Sequence, residues 1–181
     1  ISPNDPVGML KYAQECRELG IPFVYDPSQQ LARMDGPVLV ESMAGARVLT
    51  VNEYEYERVR QKSGLDETAL LELVDTIVVT LGAKGSKVIT CGFEMLIPTA
   101  STAHVVEPTG VGDAYRAGLL TGLVRGYPWE VTCRLASLAA TYVIEHHGTM
   151  SHRYDLTGFV ARYRQEFGDT PELNDLLACA T

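Results

Sequence analysis

Glu107-Pro108-Thr109-Gly110-Val111-Gly112-Asp113-Ala114-Tyr115-Arg116-Ala117-Gly118-Leu119-Leu120 is the stretch on which the reading of this 181-residue chain turns. A glycine loop ends in an aspartate and runs straight into a helix-compatible apolar pattern. Gly110 and Gly112 lack side chains, so the backbone can take unusual dihedrals and turn successive N–H groups toward one point. The start of the following helix adds positive potential, and the two effects together make a nest for a phosphate or a developing oxyanion. Asp113, at the loop–helix junction, is placed beside such an anion without being part of its cradle, where a base accepting a hydroxyl proton should sit. Glycine turns before helices are also common in α/β proteins, so the motif alone leaves a structural reading open. It is not a Walker A loop, since no Gly-Lys-Ser/Thr follows, and Tyr115 stands where a dinucleotide fingerprint needs glycine.

Two upstream patterns keep the loop company. Thr80-Leu81-Gly82-Ala83-Lys84-Gly85 follows the apolar, β-branched run 75–79, so a buried strand delivers a flexible turn whose glycines let a triphosphate approach the backbone. A plain β-turn before the next strand accounts for the same residues. Asn52-Glu53-Tyr54-Glu55 follows the strand-like run 47–51. An Asn and a Glu three apart at a helix start lie on one face, and their hard oxygens suit Mg²⁺, often through its waters. The same pair also makes an N-cap with an acid in the first turn, and both roles can hold together. Downstream, residues 135–149 form a helix rich in small residues ending near Gly148, which is equally a tightly packed core helix.

In this order, the motifs resemble those of the ribokinase-like (PfkB) carbohydrate and nucleoside kinases, and the 107–120 version is most similar to that of bacterial adenosine kinases. The resemblance implies that Asp113 is the catalytic base and that the amides of Gly110, Val111 and Gly112 stabilise the transferring phosphoryl group. It implies that Thr80, Gly82 and Gly85 hold the phosphates of ATP, that Ser137 contacts the nucleotide and that Asn52 and Glu55 organise Mg²⁺. Glu107 and Thr109 match positions near a monovalent-cation site, with Glu107 where Asp is more usual, so K⁺ is a further implied cofactor. The expected reaction is γ-phosphoryl transfer from Mg·ATP to a primary hydroxyl of a ribose-containing acceptor, adenosine first. A sugar kinase acting on ribose, fructose or a sugar phosphate, and a non-catalytic nucleotide-binding module, are the alternatives.

Composition narrows less. With 46% hydrophobic residues the chain can bury a sizeable core and reads as one domain. Lys plus Arg of 15 against Asp plus Glu of 23 gives a net charge of −8, which argues against a general nucleic-acid or anionic-membrane surface. Cys16, Cys91, Cys133 and Cys179 are widely spaced and form no Cys-x-x-Cys pair, so reduced, cytoplasmic thiols are expected. The longest apolar stretch, 135–144, is far short of the ~20 residues a bilayer requires. His146, His147 and His152 lack any zinc-site spacing and read as a helix-terminal polar turn.

For organisation, strands are expected at 21–25, 47–51 and 75–80, with a hairpin over 86–97 around Cys91-Gly92 and residues 103–106 leading into the Asp113 loop. Helices are expected at 5–19, 53–62, 66–73, 113–125, 129–147 and 155–167, the first burying Val7, Leu10, Ala13, Cys16 and Leu19. Alternation of this kind favours a three-layer α/β/α, Rossmann-like (ribokinase-like) fold with a mostly parallel central sheet and ligands at the strands' carboxyl ends. Under the resemblance, residues 1–181 correspond to the C-terminal portion of one kinase domain without its N-terminal strands and lid. The exposed sheet edge would then need a missing N-terminal segment or a second copy of the chain.

Overall fold

The structure, a computed structural model, describes residues 1–102 and 104–178. Of the residues singled out above, Cys179 lies outside the described residues, as does Ala103 in the approach to the glycine loop. The chain divides into two compact units, one of Ile1–Gly82 with Ser86–Leu96, the other of Ala83–Gly85 with the chain from Ile97 onward.

In the first unit, α1 (Pro6–Leu19) starts where the Asp5 carboxylate accepts from the amides of Val7 and Gly8, with proline in the first turn, and stops at the left-handed Gly20. Its buried residues are Met9 and Ala13, whereas Val7 and Leu19 are exposed. The expected face was stepped by threes, and at about 100° per residue such a series drifts around the helix, so the four-residue spacing of 9 and 13 prevails. Strand β1 (Val24–Tyr25) is shorter than expected and leaves Ile21 half exposed. At its outer edge Ile1 donates to Val24 O (2.6 Å) and accepts from Asp26 N (3.0 Å), the pattern of a parallel bridge to Tyr25.

A 3₁₀ turn (Ser28–Ala32) and helix α2 (Gly36–Met43) fill a stretch to which the sequence reading assigned no element. The signal for α2 was the Asp35 cap, whose Oδ1 accepts from Val38 N at 3.0 Å, with Pro37 in the first turn. Then follow β2 (Val48–Asn52), α3 (Glu53–Ser63), α4 (Glu67–Leu73) and β3 (Ile77–Thr80). A 3₁₀ turn (Gly82–Lys84) leads into β4 (Ser86–Ile89), and the chain turns back through Thr90–Phe93, closed by Thr90 N to Phe93 O at 2.9 Å, into β5 (Glu94–Ile97). The five strands lie in sequence order, with β1, β2 and β3 parallel and β4 antiparallel to β3. The sheet is therefore mixed, with its parallel part first.

Leu49, Val51, Ile77, Val79 and Ile89 pack with Met9, Leu39, Met43, Val59 and Leu70 into one core, so α1 to α4 contribute a helical layer on that face. Val48, Val78 and Val88, pointing the other way, are fully buried too. Burial on both faces is why these strands read as continuous apolar runs rather than alternating ones.

The second unit is helical: α5 (Val111–Arg125), α6 (Trp129–Ile144), α7 (Leu156–Phe167) and α8 (Glu172–Ala178). Helices α5 and α6 approach closely, since a Cβ on Gly118 would lie 2.5 Å from the Ala136 Cα. Leu135, Leu138 and Ala139 of α6 pack against Phe159, Val160 and Tyr163 of α7 and Leu173 and Leu176 of α8. Helix α8 was not anticipated; Asp175 ties it to the α5–α6 connection through Arg125 (2.9 Å) and the Tyr127 hydroxyl. Among the described residues no helix is long and apolar enough to cross a membrane.

Candidate active site

The glycine loop differs from its expected form in one respect: α5 begins at Val111, not at Asp113. Gly110, at φ +86°, is the N-cap, which only glycine adopts without strain, and it has no side chain with which to cap. Val111, Gly112 and Asp113 are thus the first helical turn. Their amides have no acceptor within the helix; that of Val111 reaches back to Pro108 O at 3.3 Å. The cradle read from the sequence is therefore the amino end of α5 itself, where the helix dipole is most positive. A Cβ on Gly112 would meet nothing within 4 Å, so the space beside this turn is open. Asp113 is 75% exposed on its side chain and is paired with Arg116, one turn on, whose guanidinium is largely covered. Sequence reading passed over Arg116, although the i, i+3 spacing carried the signal.

Behind the loop stands the turn after α6, which ends at Ile144 with Glu145 as its C-cap rather than running to 147. Ile144 O accepts from the amides of Val106 (2.8 Å) and Glu107 (3.3 Å), and the Glu107 Oε2 accepts from Gly148 N at 2.9 Å. That amide, with help from the Thr109 hydroxyl, holds the Glu107 carboxyl below the usual carboxylate range. A Cβ on Gly110 would come within 3.0 Å of the Thr149 side chain, so the turn also backs the N-cap. His146 Nδ1 lies 2.8 Å from Tyr142 O, closing the helix end, and His147 stands 3.9 Å from Glu107.

Ser137 is buried on α6, where its Oγ lies 2.8 Å from Thr99 Oγ1 and accepts from Ala100 N at 2.9 Å. Its hydroxyl thus anchors the start of the strap that follows β5, at Thr99 and Ala100. Further along that strap the Glu166 carboxylate of α7 accepts from the Ser101 amide (3.0 Å) and hydroxyl (2.7 Å).

In the first unit the parallel register of β2 and β3 sets Asn52 opposite Thr80, so the ends of two of the motifs are neighbours on adjacent strands. Asn52 and Glu55 form a full capping box: Glu55 N donates to Asn52 Oδ1 (2.8 Å) and Asn52 N to Glu55 Oε2 (2.9 Å). The box engages the only side-chain oxygen of Asn52 and one of the two of Glu55, leaving Glu55 Oε1 as the hard oxygen available to a hydrated Mg²⁺. Gly82, two residues after Thr80, lies in the left-handed region at φ +58° with open space where a Cβ would be, so the backbone there is approachable. Gly85 belongs to the second unit, at φ +96°, and a Cβ there would sit 2.0 Å from Ile97 O, so it is required by its own backbone neighbour. Asn52, Glu55, Thr80 and Gly82 lie in the first unit; Gly110 to Asp113 and Ser137 lie in the second.

The first unit thus carries a strand end with a left-handed glycine and a hard-oxygen pair, and the second a helix amino end bearing an exposed carboxylate. The model of the pfkB family of carbohydrate kinases matches residues 1–155. The chain belongs to that family. It is 32% identical over 152 residues to a nucleoside kinase of Methanocaldococcus jannaschii, a match covering 84% of this chain and 50% of the relative. Among solved structures it is similar to the Burkholderia thailandensis nucleoside kinase in complex with inosine (TM-score 0.91, 33% identity, 94% of this chain and 57% of that one). It is also similar to the adenosine kinase of Sinorhizobium meliloti (TM-score 0.71, 25% identity, 90% of this chain and 50% of that one). The fold is thus ribokinase-like, as expected, and the chain spans about half the length of the curated relatives it matches.

Proposed function

We propose that this chain forms the phosphoryl-transfer portion of an ATP-dependent nucleoside kinase that phosphorylates the 5′-hydroxyl of a purine nucleoside, with adenosine as the first acceptor to test. The observation that carries the proposal is the exposed Asp113 carboxylate in the first turn of α5, at a helix end whose amides lack intrahelical partners. In the reaction the acceptor's 5′-oxygen forms a bond to the γ-phosphorus, the bond to the bridging oxygen of ADP breaks, and the hydroxyl proton passes to Asp113. Arg116 holds that carboxylate in place. The amides of Gly110, Val111 and Gly112 offset the charge that accumulates on the transferring oxygens. Thr80 and Gly82 hold the donor phosphates, and Gly85 shapes the turn that presents them. Asn52 and Glu55 hold the water shell of Mg²⁺, which when bound neutralises the donor phosphates. No covalent enzyme nucleophile is required, because alignment and charge stabilisation supply most of the rate.

The nucleoside preference is supported by the relatives, which are nucleoside kinases, one of them seen with inosine. The test is ADP release by the intact protein with Mg·ATP and a panel of adenosine, inosine, ribose and fructose 6-phosphate. Release stimulated most by a nucleoside supports the proposal. Stimulation by the sugars alone makes the protein a sugar kinase of the same family, and ATP binding without acceptor-dependent release makes it a binding module. A K⁺ ion beside Glu107 would use the oxygen that Gly148 does not engage. Rates higher in K⁺ than in Na⁺ at equal ionic strength support that addition, and equal rates reject it.

A further inference from the structure

Arg162 lies on α7, outside the residues matched by the family model, yet it makes contacts on both sides of the approach to the glycine loop. Its guanidinium grips the Glu145 carboxylate with two bonds, Nη1 to Oε2 at 2.8 Å and Nη2 to Oε1 at 2.6 Å. The same Nη2 donates to Ser101 O at 3.2 Å, and the guanidinium lies over the Tyr142 ring with 4.7 Å to its centroid. A planar fork suits this combination of bidentate pairing and stacking, which lysine cannot reproduce.

Two of these contacts, those to Glu145 and Ser101, lead toward the glycine loop. Glu145 caps α6 at the start of the turn whose Ile144 O holds Val106 and Glu107, whose Gly148 holds the Glu107 carboxylate and whose Thr149 backs Gly110. Ser101 belongs to the strap that runs into the same loop, and Glu166, one turn on from Arg162, holds its amide and hydroxyl. Arg162 therefore joins the end of α6 to the strap at the point from which both proceed to the loop. We propose that Arg162, acting through Glu145 and Ser101, is a positioning residue that sets the glycine loop and hence Asp113 for phosphoryl transfer. Its contacts are with Glu145, Ser101 and Tyr142. The inference rests on the function proposed above.

The pair lines an open groove of about 640 Å³ together with His104, Gly158 and Glu166, so changing it opens no cavity in the core. In the intact protein, Arg162→Met is expected to lower kcat roughly tenfold while the KM for ATP stays within twofold, and Arg162→Lys to fall between it and the parent. Amides of residues 104–113 should exchange with deuterium at least fivefold faster in Arg162→Met, with exchange in the middle of α6 unchanged. A kcat within twofold of an active parent overturns the inference while leaving the kinase reading intact. Should the parent phosphorylate no acceptor, the exchange measurement still decides: unchanged loop exchange, or exchange raised equally throughout α5 to α7, overturns the positioning role.

Discussion

At the amino end of α5, Asp113 presents an exposed carboxylate and Gly110 offers a backbone without a side chain. Gly110 combines a left-handed backbone with direct backing by Thr149, so any Cβ meets both strain and a neighbour. Gly110→Ala should cost about 1–2 kcal/mol in urea unfolding and lower turnover as well, because the loop must shift to admit the methyl. A variant with unchanged stability and rate would show that neither the conformation nor the backing matters. The unusual backbone at Gly110 was legible in the sequence, since a glycine just before a helix-compatible run suits a left-handed turn. Thr149 and Arg116 were not singled out: the first lies 39 positions from Gly110, and the second is an ordinary helical pair whose importance comes only from its partner.

Among the elements, α3 is the one whose cap coincides with a proposed metal site. Its capping box uses the same two residues assigned to Mg²⁺, so stability and metal dependence can be separated by substitution. Asn52→Ala should cost about 1 kcal/mol through the lost cap. Asn52→Ser restores a capping oxygen, and a raised Mg²⁺ requirement for ATP turnover in that stable variant would identify the metal role. If stability and Mg²⁺ requirement both match the parent, Asn52 is a cap alone. On the α5–α6 contact, Gly118→Val should cost about 1–3 kcal/mol by forcing the helices apart, measured by the same unfolding assay. Strands β2 and β3 were readable because β-branched residues buried on both faces leave a continuous run. Helix α2 was not, because its apolar residues include Val38 and Val40, which read as easily as strand, and only the Asp35 cap distinguishes them. The early end of α6 was hidden because Glu145, which closes it, draws its partner from α7.

For the whole molecule, the excess of acidic residues is managed by donors placed against particular carboxylates. Arg162 holds Glu145 below the usual carboxylate range, Gly148 does so for Glu107, Arg164 for Asp169 and Tyr127 for Asp175. A carboxylate with a depressed value in the folded state contributes stability above its unfolded value of about 4, and that contribution is lost as pH falls through the folded value. The melting temperature should therefore hold level from pH 7 to about 5 and decline below about 4, less steeply in Glu145→Gln. A melting temperature independent of pH down to 3 would contradict this sign. The proposed phosphoryl transfer turns on Asp113 taking the acceptor's proton, and Asp113→Asn in the intact protein tests it most directly, since the amide keeps the shape and cannot take the proton. Nucleoside-dependent ADP release should fall at least about a hundredfold with ATP affinity preserved, whereas release at the parent's rate would contradict the assignment.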